Sequence, residues 1–239
     1  MGFHNLITHA IDNILHELPA DPTVCELGNQ TLKNAKQRRT IYKRLKIKGV
    51  EPETVKQWYQ SVGFSNYVAI DVNDEKDAIE MDLNLNLQSS YNYYDTFDLV
   101  TNNGTGEHCF NQYSVFSNVH NLTKTNGYMI HALPFYRWVD HGFYNYNPNL
   151  FICLAKANHY KIVKIMIGQN DAERLETIDH TRLDRYDGYR NDFNLDSWSK
   201  DPTVVAILQK TNDLDFVMPM QHLYDGDNIT SQEIKDRYS

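Results

Sequence analysis

Apolar residues recur at helical spacing over residues 3–18, where Phe3, Ile7, Ala10, Ile11, Ile14, Leu15 and Leu18 share one face and Pro19 closes the segment. Residues 23–28 then form a short, nearly continuous apolar run with Glu26 inside it and Gly28 at its end, the pattern of a buried strand. A long helical stretch is expected over 31–62, broken near Gly49 and at Glu51-Pro52. Strand patterns follow over 66–71, which ends in Asp71, over 78–83, and over 97–104, which leaves through Asn102-Asn103-Gly104. Residues 109–122 carry Phe110, Tyr113, Val115, Phe116, Val119 and Leu122 largely on one helical side, and Thr125-Asn126-Gly127 is a turn into a fifth strand over 128–133. A helix over 149–158 and strands over 161–167 and 203–210 complete the pattern, while 168–200 and the tail after Thr211 read as irregular. Strands alternating with helices predict an α/β, doubly wound, Rossmann-like fold with a largely parallel sheet covered on both faces.

Composition narrows the partners. The 239 residues, 41% hydrophobic, suffice for one core, so residues 1–239 read as a single domain with an N-terminal helix at 1–19 and a helical insertion at about 31–63. A net charge of −8 argues against nucleic acid as the partner. Cys25, Cys109 and Cys153 are scattered among apolar residues without metal-ligand spacing, so neither disulfides nor structural zinc is expected. The start Met1-Gly2-Phe3-His4-Asn5 lacks the pattern of a signal peptide, and no apolar run nears the ~20 residues that span a bilayer. The expectation is a cytoplasmic protein with no membrane partner.

Candidate chemistry collects at the strand ends, because ligands of such sheets bind outside the carboxyl ends of the strands. Glu26-Leu27-Gly28-Asn29-Gln30 ends the first strand, Asp71 the second and Asp82 the third. Asn102-Asn103-Gly104-Thr105-Gly106-Glu107-His108 leaves the fourth. The single glycine at 28 matches neither the three-glycine dinucleotide loop nor a phosphate loop with Lys-Ser/Thr. Together with Phe97-Asp98-Leu99-Val100-Thr101, these signals resemble the class I S-adenosylmethionine-dependent methyltransferases, in particular the bacterial small-molecule types, from about Thr23 to about Ile167.

That resemblance implies a mostly parallel seven-stranded sheet whose last strand is antiparallel. It also implies S-adenosyl-L-methionine as cofactor, bound by Glu26, Gly28, Asn29, Gln30, Asp71, Asp82, Leu83 and Asn102. Asp71 would accept from both ribose hydroxyls and Asp82 from the adenine amino group. The cofactor carries no phosphate, so one glycine suffices where its missing Cβ admits the ligand to the backbone. Two departures stand out: the first loop has one glycine where the family often has more, and the segment between Gly28 and Asp71 is unusually long.

Residues 131–148 are dense in aromatics interspersed with His, Asp and Asn, and follow the fifth strand onto the same rim. Such a composition suits a pocket for a small polar or aromatic acceptor, with Asn103, Glu107, Tyr144 and Tyr146 as contacts. A packed connecting loop has the same composition. A histidine is the side chain best poised to take the acceptor's proton, in the order His141, His108, His131. These three lack a local ligand motif, so no metal is expected. Residues 31–50 hold eight Lys or Arg and no acid, which reads as a solvated lid or as a surface for an anionic acceptor, such as a phosphorylated sugar or a carrier protein. Two other functions fit the same fold: a non-catalytic ligand-binding module and an NAD(P)-dependent oxidoreductase, the latter disfavoured by the missing glycines.

Overall fold

The structure is a computed structural model that describes residues 2–32, 52–170, 172, 174–183 and 197–220. Most of the basic segment and its expected helices lie outside the described residues.

The chain runs β1 (Gly2–Phe3), α1 (Asn5–Asp12), β2 (Thr23–Leu27), β3 (Thr31–Leu32), α2 (Val55–Ser61), β4 (Asn66–Asp71), β5 (Ile79–Glu80), α3 (Leu87–Tyr91), β6 (Phe97–Asn103), α4 (Gln112–Leu122), β7 (Thr123–Pro134), α5 (Pro148–Asn158), β8 (Lys161–Gly168), β9 (Leu175–Thr177), α6 (His180–Leu183) and β10 (Thr203–Gln209). Eight strands form one sheet in the order β5-β4-β2-β6-β7-β10-β8-β9. The run from β5 to β7 is parallel, and β10 is inserted antiparallel between β7 and β8.

The sheet is covered on both faces, and alternation along β2 decides which side chain goes where. Val24 joins a core built with α1 and α2, including Phe3, Ile7, Trp58 and Tyr59. Cys25 and Leu27 join the opposite core with Leu87, Val115 and Val119 of α3 and α4. A third cluster, with Phe151, Leu154 and Ile165, extends that second face under α5. The three cysteines are free and buried. Among the described residues, no helix is long and apolar enough to cross a membrane.

Several elements depart from the sequence pattern. Thr31–Leu32 is not helical: it pairs in parallel with Gly2–Phe3, so the chain start lies beside the exit of β2. The described part of the 31–62 helix is only Val55–Ser61, opened by a capping box between Thr54 and Gln57. The 78–83 strand shortens to two residues because Asp82 Oδ1 accepts from the Asn84 backbone (2.8 Å), an Asx turn that ends pairing. The sheet has eight strands rather than seven, since Leu175–Thr177, in the stretch expected to be irregular, pairs antiparallel with β8.

Helix α4 starts at Gln112 rather than 109, after a 3-10 turn at Gly106–His108. Asn111 caps it, its Oδ1 accepting from Ser114 N (3.2 Å) while its Nδ2 donates to Asn84 O (3.0 Å). One side chain thus closes the helix and ties it to the loop after β5. Asn111→Ala is expected to cost about 1–2 kcal/mol. Denaturant melts check this, and an unchanged midpoint would show that water replaces the cap.

Candidate functional site

Strand order reverses at β2, whose neighbours β4 and β6 lie on opposite sides of it. The exits of these three strands therefore form the crevice in which α/β sheets bind ligands. Gly28 turns there with φ +80°, and a Cβ on it would collide with Thr105 Oγ1 from the β6 exit. Thr105 Oγ1 in turn donates to Leu27 O (2.6 Å). The glycine is required by this close approach of two loops and by the left-handed backbone.

The first loop is held by side chains from both neighbouring strands. Asn29 N donates to Asp71 Oδ2 (2.8 Å), and Val72 N donates to Asp71 Oδ1 (2.7 Å). Oδ1 also accepts from Asn73 Nδ2 at a longer 3.3 Å, while Oδ2 keeps a further lone pair, and Asp71 is half-buried. Asn29 Nδ2 reaches Asn73 Oδ1 (2.9 Å), so the β2 and β4 loops are cross-linked. Gln30 Nε2 donates to Asn103 O (2.8 Å), whereas Gln30 Oε1 is buried without a hydrogen-bond partner. That orphaned acceptor lies at the crevice between the β2 and β6 exits.

Other expected cofactor residues make contacts within the fold. Glu26 is fully buried beneath α2, accepting from Tyr67 OH (2.8 Å) and Tyr59 OH (3.3 Å). Burial pushes its carboxyl up to about 8, with the two tyrosines opposing. Asn102 is also fully buried; its Oδ1 accepts from Gly106 N (2.9 Å) and fixes the β6 exit. Leu83 packs with Met81 and Leu87 in the second core. Asp82 Oδ1 is engaged by Asn84, and the residue is half-buried near the β5 end.

The three histidines separate. His131 is buried between Phe116 and Phe151 (ring centroids 5.3 and 5.4 Å), with Nδ1 3.4 Å from Asn102 Nδ2. Burial pushes its imidazole down to about 3, so it stays neutral inside the core. His108 and His141, 33 positions apart in the chain, meet with ring centroids 4.9 Å apart. Both face Glu107, whose Oε1 lies 3.2 Å from His141 Nε2 and 3.8 Å from His108 Nε2. Glu107 is fully buried, which pushes its carboxyl up to about 7.

The meeting depends on Gly142. A Cβ there would lie 2.7 Å from both Glu107 Cγ and Glu107 O, so only glycine lets the 137–143 segment rest on Glu107. Phe143 N completes the contact by donating to Glu107 O (2.7 Å). Sequence reasoning named these residues separately, as acceptor contact and candidate bases, but missed the cluster.

Beyond it lies a cavity of about 360 Å³, lined among others by Tyr113, Phe116, Tyr144, Tyr146, Leu150 and Phe216. Tyr146 OH donates to Gln112 Oε1 (2.8 Å), and Gln112 Nε2 donates to Gly106 O (2.8 Å) and Cys109 O (2.6 Å). The cavity wall is thereby bonded to the loop that carries Glu107. Tyr144 is anchored through its hydroxyl to Phe110 O (3.0 Å). Asn103, the remaining expected contact, is buried, with Nδ2 3.5 Å from Gly2 O.

No protein-family model matches the sequence, and no curated protein matches it. Solved structures do match. An S-adenosylmethionine-dependent methyltransferase from Archaeoglobus fulgidus aligns over 87% of this chain and 95% of its own, at 14% identity and TM-score 0.52. A 1,6-didemethyltoxoflavin-N1-methyltransferase from Burkholderia thailandensis aligns over 87% of this chain and 78% of its own, at 11% identity and TM-score 0.43. Strand order, the antiparallel last strand and the first of these alignments agree: the chain has the fold of the class I S-adenosylmethionine-dependent methyltransferases.

Proposed function

We propose that the protein transfers a methyl group from S-adenosylmethionine to a small polar or aromatic acceptor. The observation that carries this reading is the crevice at the strand reversal, where Gly28, Asp71 and the orphaned Gln30 oxygen converge without any phosphate-binding glycine pattern. These residues fit the cofactor. Asp71 Oδ2 has a lone pair left for one ribose hydroxyl, a second hydroxyl would replace the longer Asn73 Nδ2 bond on Oδ1, and Gln30 Oε1 can accept from an ammonium group. Bound there, the cofactor supplies a methyl group carried on a positively charged sulfur.

The rest of the chemistry belongs to this chain's residues. Positioning supplies much of the rate of an in-line transfer. The cavity beside Tyr144 and Tyr146 suits an aromatic or apolar acceptor body. Handling of the acceptor's proton falls to the Glu107–His108–His141 cluster, because His131 is sealed in the core.

Calorimetric titration with S-adenosylhomocysteine, S-adenosylmethionine and NAD tests the reading. Binding of the first two and not of NAD is expected. Binding of NAD alone would replace it with an oxidoreductase. A binding-only module is separated by incubating the protein with S-adenosylmethionine and a small-metabolite extract: the enzyme releases S-adenosylhomocysteine, the module does not.

A further inference from the structure

The arrangement around Glu107 has more order than one hydrogen bond needs. Two imidazoles turn their Nε2 atoms toward one carboxylate oxygen, and only one of them is at hydrogen-bonding distance. One ligand-capable atom from each of Glu107, His108 and His141 lies within 4.8 Å of the others. The second carboxylate oxygen, Glu107 Oε2, is buried with no hydrogen-bond partner at all. A buried carboxylate with an orphaned oxygen is a costly arrangement unless something else satisfies it.

A divalent ion held by both carboxylate oxygens and the two Nε2 atoms would account for these features together. Nitrogen and oxygen ligands sit about 2.0–2.2 Å from a first-row divalent ion, which sets neighbouring ligand atoms roughly 3.0–3.4 Å apart. The observed 3.2 Å lies inside that range and 3.8 Å slightly above it. Two imidazoles with one carboxylate suit iron(II), zinc, cobalt or manganese rather than calcium or magnesium, which prefer oxygen ligands. His108 and His141 keep 42% and 33% of their side-chain surface exposed, so the side opposite Glu107 is open.

We propose that Glu107, His108 and His141 bind one divalent transition-metal ion through the carboxylate and both Nε2 atoms, leaving positions open for water or an oxygen of the acceptor. With the ion bound, His141 is a ligand rather than a base. Gly142 is the positioning residue, because it lets the His141 segment close onto Glu107. Only the role toward the acceptor rests on the methyl-transfer reading; the ion site stands on the three side chains.

The test uses the full untagged chain, stripped with chelator and titrated with Co²⁺. The expected result is one ion per chain with visible absorption from nitrogen-containing coordination. His108→Ala and His141→Ala are each expected to weaken binding by at least about 10- to 100-fold, the loss seen when a group that only orients a ligand is removed. His16→Ala, at an exposed position outside the cluster, leaves binding unchanged. Thermal melts and S-adenosylhomocysteine titration accompany each variant. Absence of stoichiometric Co²⁺ binding, or binding that both cluster variants leave unchanged, overturns the site and returns His141 to the role of base. Co²⁺ bound at the cluster in a chain that ignores S-adenosylhomocysteine would sink the methyl-transfer reading and leave the metal site standing.

Discussion

Asp71→Ala is expected to weaken S-adenosylhomocysteine binding about a hundredfold. Two hydrogen bonds from ribose hydroxyls to a half-buried carboxylate correspond to about 2–3 kcal/mol, and each 1.4 kcal/mol is tenfold. The same carboxylate accepts from Asn29 N and Val72 N, so alanine also loosens the first loop. Asp71→Asn separates the two contributions. It keeps one acceptor oxygen, and its loss should fall between wild type and alanine. Asp82→Ala should cost less, because it would remove one contact, to the adenine amino group, where Asp71 would supply two to the ribose. Calorimetry measures all three, with thermal melts to confirm folding. Unchanged affinity in Asp71→Ala would remove that residue from the cofactor site and shift the ribose elsewhere along the rim.

Stability should fall as pH rises from about 6.5 to 8, and Glu26 should account for the upper part of that slope. Its carboxyl is near 4.5 when unfolded and about 8 when folded. Across that window the folded chain holds a proton that the unfolded chain has released, so raising the pH favours unfolding. The full effect is on the order of 4 kcal/mol.

Buried histidines act in the opposite sense. Burial brings His131 down to about 3 and His120 to about 4, so the folded chain binds fewer protons below 6.5, and stability there rises with pH. Between 4.5 and 6.5 the slopes oppose one another; above 6.5 the raised carboxyls of Glu107 and Glu26 set the direction. In the metal-free chain Glu107, raised to about 7, adds to the fall up to that point, and Glu26 continues it from 7 to 8. Glu26→Gln keeps an acceptor for the Tyr67 hydroxyl and has no proton to lose. Its melting temperature should therefore be nearly flat from pH 7 to 8.5 while the wild type declines. Parallel curves for the two proteins would show that Glu26 is already ionised in the folded chain.

Strand and helix periodicity was legible wherever an element packs one clear face. Asn66–Asp71 forms the strand its apolar run implied, and Lys161–Gly168 and Thr203–Gln209 match theirs within a residue. Misjudged elements were those whose partners are remote. Thr31–Leu32 is extended because Gly2–Phe3 offers it a ladder, and Leu175–Thr177 because β8 has a free edge. Neither partner can be read from local spacing, since strands of two and three residues are too short to show a period-2 alternation.

At the candidate site, the sequence alone determined the α/β class, the placement of Gly28 and Asp71 at strand exits, and the pairing of an acid with a histidine at 107 and 108. Which of these side chains reaches solvent and which is sealed was decided by the tertiary structure. Glu26 and Asp71 are both acids at strand ends, yet alternation along β2 turns the first under Tyr59 and Tyr67 while Asp71 stays at the rim. His131 and His141 are ten positions apart, yet one lies between two phenylalanines and the other on Glu107. A metal-ligand motif at helical spacing, where one element supplies two ligands, is absent from the sequence. The turn after β6 carries Glu107 and His108, and the loop after β7 brings His141 beside them across a missing Cβ at Gly142. Such a convergence depends on how closely two backbones pack, a property of the folded chain that no spacing of residues encodes.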